Sequence, residues 1–124
     1  MEAYAKIEDY KKYSDVLKED TQIEKYLKVS SFFINEATLT RIEKIGFENL
    51  TEQQRKYIKE ATCEEADYIY ESGMFDEPEE VSSYSIGGDL TVTTKQLNTA
   101  FTKLGLSRTA YMILKKTGLT WRGL

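Results

Sequence analysis

Cys63, Glu64, Glu65 and Asp67 crowd a thiol and three carboxylates into one short stretch, the groups that thiol or general acid–base chemistry would use. Paired carboxylates must converge on one point, whereas adjacent residues on a helix face different ways, and nothing in the pattern marks one of these acids as buried. Cys63 is the one cysteine, so an internal disulfide framework is excluded. Glu64 and Glu65 beside it would raise a thiol pKa, and Cys63 reads as a small packed thiol. The chain has no histidine, which removes Ser–His and Cys–His catalysis and the commonest metal ligand. Asp76, Glu77, Glu79 and Glu80 lack the spacing that would converge carboxylates on a cation, so this run reads as a solvated connection. Gly87–Gly88 is followed by neither of the glycine patterns that cradle phosphates. No catalytic, cofactor-binding or metal-ligating residue is expected, and the chain is not expected to be an enzyme.

Charge separates along the chain. Residues 1–80 carry 11 basic and 20 acidic side chains, net −9, and residues 81–124 carry 6 basic and 1 acidic, net +5, giving −4 in all. An acidic front and a basic tail can attract each other within one molecule or between copies. The basic third also permits a second reading, a small nucleic-acid-binding module using Lys95, Lys103, Arg108, Lys115, Lys116 and Arg122 for salt-dependent phosphate contacts. Against it stand the pI near 5.0 and the acidic region that would repel DNA.

The elements that must position these groups are mainly helical. One domain is expected over 1–124, because two would leave each core too small. No apolar run reaches the length of a membrane span, and Met1 to Tyr10 lacks the apolar core of a signal peptide, so a cytoplasmic protein with no membrane contact is expected. Ile7, Tyr10, Tyr13 and Leu17 have the spacing of a first helix. Thr21 and Glu24 form a capping box ahead of Ile23, Tyr26, Leu27, Ser30, Phe33, Ile34 and Ala37. Thr38 to Glu48 reads as a broken helix or loop. Thr51 with Gln54 opens a third helix expected to stop at Gly73, and its small residues Ala61, Thr62 and Ala66 admit a close neighbour.

After that helical body, about 1–73, the pattern changes. Tyr84, Ile86, Leu90 and Val92 alternate with polar residues around Gly87–Gly88, which predicts a β-hairpin over about 81–94. Such a ribbon needs the helices or a partner to pack on. Ser107 is the expected N-cap of a short C-terminal helix with Ala110, Ile113, Leu114 and Thr117 inward, ending at Gly118 with Leu114 and Leu119 in contact. The fold class is therefore mainly α: a small helical bundle with one β-hairpin and a short C-terminal helix, the helix and tail covering about 107–124. Trp121 and Arg122 are types that favour interface centres. Either they dock on a partner or Trp121 folds back on the core.

Three stretches together resemble the head–tail connector (adaptor) proteins of long-tailed bacteriophages and prophages. Leu50–Tyr68, LTEQQRKYIKEATCEEADY, is similar to that family's central helix. Ser83–Thr93, SYSIGGDLTVT, resembles the segment that follows it, and Leu106–Leu124, LSRTAYMILKKTGLTWRGL, the family's ending; Ile7–Tyr13 fits its opening. The doubled Gly87–Gly88 and the irregular Thr38–Glu48 region depart from the pattern. The resemblance implies a non-enzymatic virion structural protein with no cofactor, held in the host cytoplasm before assembly. It would form a dodecameric ring at the head–tail junction, beneath the portal protein. Its partners would be the portal, neighbouring copies, and a downstream connector or tail-completion protein, with DNA passing through the channel without sequence-specific binding. Leu119, Trp121, Arg122 and Leu124 would dock on the portal or an adjacent subunit, and the hairpin would project toward neighbours or the channel.

Overall fold

The computed structural model describes residues 3–73 and 104–120. Its longest element is α4, Glu52–Ser72, and local chemistry sets both ends. Thr51 Oγ1 accepts the Gln54 N–H at 3.0 Å while Gln54 Oε1 accepts the Thr51 N–H at 3.0 Å. This is the expected capping box, satisfying two donors that the first turn leaves without partners. At the other end Gly73 takes φ 72°, and its N–H reaches the Tyr70 carbonyl, a left-handed stop that costs a glycine little.

Before α4 come α1 (Ile7–Tyr13), α2 (Asp20–Ala37), α3 (Arg41–Ile45) and a 3-10 turn at Phe47–Asn49. The last described helix is α5, Arg108–Lys115. The region Thr38–Glu48, expected to be a broken helix or a loop, holds the short α3 and the start of the 3-10 turn. Leu39 and Thr40 both hold φ 59° and Gly46 φ 91°, so the chain turns sharply on each side of α3. Left-handed geometry at Leu39 and β-branched Thr40 is locally unfavourable, and the buried neighbours Thr38 and Ile42 oppose its relaxation.

α2 and α4 lie antiparallel. Ile23, Tyr26, Leu27 and Phe33 share one core cluster with Cys63, Ala66 and Ile69, whereas Ile34 and Ala37 meet Ile58 and Ala61 in a second. Between the clusters, Ser30 Oγ donates to the Thr62 carbonyl at 2.6 Å. The small residues of α4 thus receive a helix of the same chain. α1 closes the first cluster through Tyr10, and α5 closes the second through Ala110 and Leu114.

Three expectations are corrected. The mainly α class holds, but no strand occurs among the described residues, so the β-hairpin is removed from the fold class. α2 and α5 already cover the apolar faces of α4, and the described core closes without a sheet. The hairpin positions Tyr84, Ile86, Gly87, Gly88, Leu90 and Val92 lie outside the described residues. α2 begins at Asp20 with Glu19 as N-cap, and the Thr21 box does not form; the earlier start puts the Asp20 charge in the first turn, where the helix dipole favours it. α1 ends at Tyr13, because Ser14 turns extended and Leu17 enters the core from a loop.

Candidate functional site

The candidate site is the junction at which α4 carries α5 and the residues that follow it. Ser107 caps α5 as expected, its Oγ accepting the Ala110 N–H at 3.0 Å. Its own N–H donates to Glu65 Oε1 on α4 at 2.7 Å. At the far end of α5, Gln54 Nε2 donates to the Thr117 carbonyl at 3.0 Å, and Arg41 Nη1 donates to the Leu119 carbonyl at 2.9 Å. These ties run α5 antiparallel to α4, Ser107 beside Glu65 and Thr117 beside the N-terminal turn. Between them Ala110, Leu114 and Leu119 are buried against Ile34, Ile58 and Ala61. Gly118 takes φ 80°, so the chain reverses and brings Leu119 back onto the core.

Of the four residues expected to dock on a partner, Leu119 is therefore an internal anchor of this chain. Trp121, Arg122 and Leu124 lie outside the described residues and follow directly from it. On the outward side of α5, Tyr111 is 43% and Met112 57% exposed. Of the basic residues weighed for nucleic acid, Lys116 Nζ sits 5.4 Å from the Tyr57 ring centre and Lys115 Nζ 5.7 Å from that of Tyr111. These are cation–π positions. Arg108 is exposed, and Lys95, Lys103 and Arg122 lie outside the described residues.

Of the acids near Cys63, Glu64 and Asp67 face the α1 side and Glu65 faces α5. Glu64 accepts from Tyr13 Oη at 2.7 Å. Asp67 accepts from Tyr10 Oη and, at 2.6 Å, from Ser14 Oγ. Tyr10 Oη in turn accepts the Leu17 N–H at 2.9 Å, so this cluster fastens the loop after α1 to α4. Burial raises the Asp67 pKa, against the opposing pull of its two hydroxyl donors.

Glu65 turns inward, which the sequence reading missed. It is 0% exposed, and burial pushes its pKa up to about 8, opposed by the Ser107 N–H and assisted by the charge of Glu64. A signal existed: Glu65 stands four residues after Ala61 and three after Thr62, on the stripe that faces the core. Cys63 is packed as expected. Burial first, and then the carboxylates of Asp9, Asp67, Glu60 and Glu64, push its thiol up to about 12.

An open cleft of about 920 Å³ lies between α1 and α4, lined by Asp9, Lys12, Tyr13, Lys59 and Cys63 among others. Its charges are mixed, and Lys59 lies 3.8 Å from Asp9. No protein-family model, curated protein or solved structure matches the chain.

Proposed function

We propose that this chain is a structural assembly protein, a connector that forms a ring between the portal of a DNA-filled phage head and the tail. The observation that carries the reading is the clamped unit of α5 and Leu119 that precedes Trp121 and Arg122 in the chain. Glu65, Gln54 and Arg41 hold α5 and Leu119 through hydrogen bonds from 2.7 to 3.0 Å. A base that is already fixed has little freedom left to lose when a partner docks on it, and that lowers the entropic cost of binding. Trp121 and Arg122 are the residue types that carry interface energy.

Two further features support the reading. The stretches Leu50–Tyr68 and Leu106–Leu124 resemble the connector family in sequence, and the described parts of both belong to the α4–α5 unit. The net charges of −9 over 1–80 and +5 over 81–124 suit head-to-tail contact between copies, the kind that closes rings. In this role the portal, neighbouring copies and a downstream connector are the partners. DNA passes through the ring, and the site of action is the head–tail junction of the virion.

Removal of residues 121–124 tests the reading, since it spares the buried Leu119. The truncated chain should keep its helical circular dichroism yet fail to join the portal of the phage or prophage that encodes it. Light scattering and electron microscopy of the full chain should show a ring that depends on portal. A full-length chain that stays monomeric and ignores portal at every concentration rejects the proposal.

A further inference from the structure

Glu65 has a chemistry that the connector reading does not use. Its side chain is fully buried between α4 and the start of α5. Oε1 accepts the Ser107 N–H, and Oε2 is buried without a hydrogen-bond partner among the described residues. A carboxylate in that position would hold its charge out of water with half of its acceptor atoms unpaired, which is costly. A neutral carboxyl keeps the Ser107 bond and avoids that cost.

Among the described residues, the surrounding groups do not relieve the charge. On α4, Glu64 is the charged neighbour acting on Glu65, and its sign is the same. Asp67 is occupied by Tyr10 and Ser14 from the α1 side. From α5, Arg108 is exposed, while Lys115 and Lys116 lie at the opposite end over tyrosine rings. α2 meets this part of α4 with Ser30, Tyr26 and apolar side chains.

We propose that Glu65 is a proton-operated latch: its neutral carboxyl holds the N-terminal end of α5 against α4, and its ionisation loosens that end. The topology allows α5 to move by itself. Residues 74–103 separate it from α4 in the chain, and the buried cluster joining α1, α2 and α4 through Tyr10, Phe33 and Ile69 has no buried member from α5, only the half-buried Leu104 and Leu106 ahead of it packed against its edge. The latch stands independently of the connector reading.

The sign follows from linkage. Undocked, Glu65 meets water and titrates as an ordinary carboxyl near 4.5, whereas docked it titrates at about 8. Between those values each docking event takes up one proton, so the docking equilibrium weakens about tenfold per pH unit as pH rises. Below the window docking is strongest, and above it docking is weakest and constant.

Amide hydrogen exchange on the full chain from pH 5.5 to 8, corrected for intrinsic rates, tests the latch. Amides of α5 should be less protected than those of Phe33 and Ile34 in α2. Their protection should fall by about tenfold per pH unit, and Glu65→Gln should abolish that slope. Equal protection of α5 and α2 at every pH would mean that α5 opens only with the whole domain, and would overturn the proposal. So would a slope that survives in Glu65→Gln. Direct NMR titration of the Glu65 carboxyl in the unmodified chain decides the matter even if the variant does not fold. A midpoint in the ordinary carboxylate range refutes the latch, and one near pH 8 supports it.

Discussion

Gln54 Nε2 donates to the carbonyl of Thr117 across 63 positions of sequence, while Oε1 of the same amide accepts the N–H of Thr51. One side chain thus starts α4 and holds the far end of α5. The two roles can be separated by substitution. Gln54→Glu keeps an acceptor for the capping box and removes the donor to Thr117, at about 1 kcal/mol. Gln54→Ala removes both and should cost about 2 kcal/mol. Urea unfolding of the two variants separates the roles: a Gln54→Glu chain as stable as the unmodified one would show that the Thr117 tie contributes nothing, and equal losses in both variants would show the same of the bond to the Thr51 N–H.

Leu119 is buried in the cluster with Ile34, Ile58 and Leu114. Leu119→Ala should therefore destabilise the isolated chain by about 2–3 kcal/mol, the cost of a cavity in a helical core. Thermal unfolding of the purified chain is the measurement. An unchanged melting temperature would instead give Leu119 to a partner surface.

Tyr10 serves two groups through one oxygen, donating to Asp67 and accepting from the Leu17 N–H. Tyr10→Phe keeps the ring in the core but strands the buried Leu17 N–H. A loss of about 1–3 kcal/mol is expected in chemical denaturation. The same variant should speed hydrogen exchange at Leu17 ahead of the α2 amides.

Stability should decline as the solution is made more alkaline from pH 5 to 8. Glu65 and Asp67 both have folded-state pKa values raised above their ordinary ones by burial. The folded chain therefore holds protons that the unfolded chain releases. Their contribution is fully present below the ordinary carboxylate range and is lost as pH climbs toward about 8, the folded value for Glu65. The slope from Glu65 can reach about 1.4 kcal/mol per pH unit. Glu65→Gln should flatten the urea midpoint against pH, and a flat profile in the unmodified chain would contradict the burial argument.

Cys63 should resist alkylation in the folded chain. With its thiol pushed from 9.0 to about 12, the thiolate at pH 8 is roughly a thousandfold scarcer than for an ordinary cysteine. Labelling with iodoacetamide should be slow in buffer and fast in denaturant. Rapid labelling of the native chain would show that the α1–α4 cleft opens down to its floor.

The sequence by itself determined the features that close within a few residues. Thr51 and Gln54 start a helix, Ser107 caps another, Gly73 ends one, and the stripe of Ile58, Ala61, Ala66 and Ile69 selects its buried face. Capping bonds and helical periodicity are local, so a short window contains their cause. Tertiary structure alone decided which partner covers each face and which polar groups are enclosed with it. Glu65 reads as one more acid in an acidic helix until α5 is laid over it. Leu119 reads both as the apolar contact of Leu114 at the Gly118 stop and as a docking residue until Ile34 and Ile58 bury it and Arg41 takes its carbonyl. Thr21 reads as a cap until α2 starts two residues earlier, at Asp20 with Glu19 as its cap. Burial belongs to pairs of surfaces that are distant in the chain, and a carboxyl's charge state, a leucine's role or a helix's first residue is settled by what packs against it.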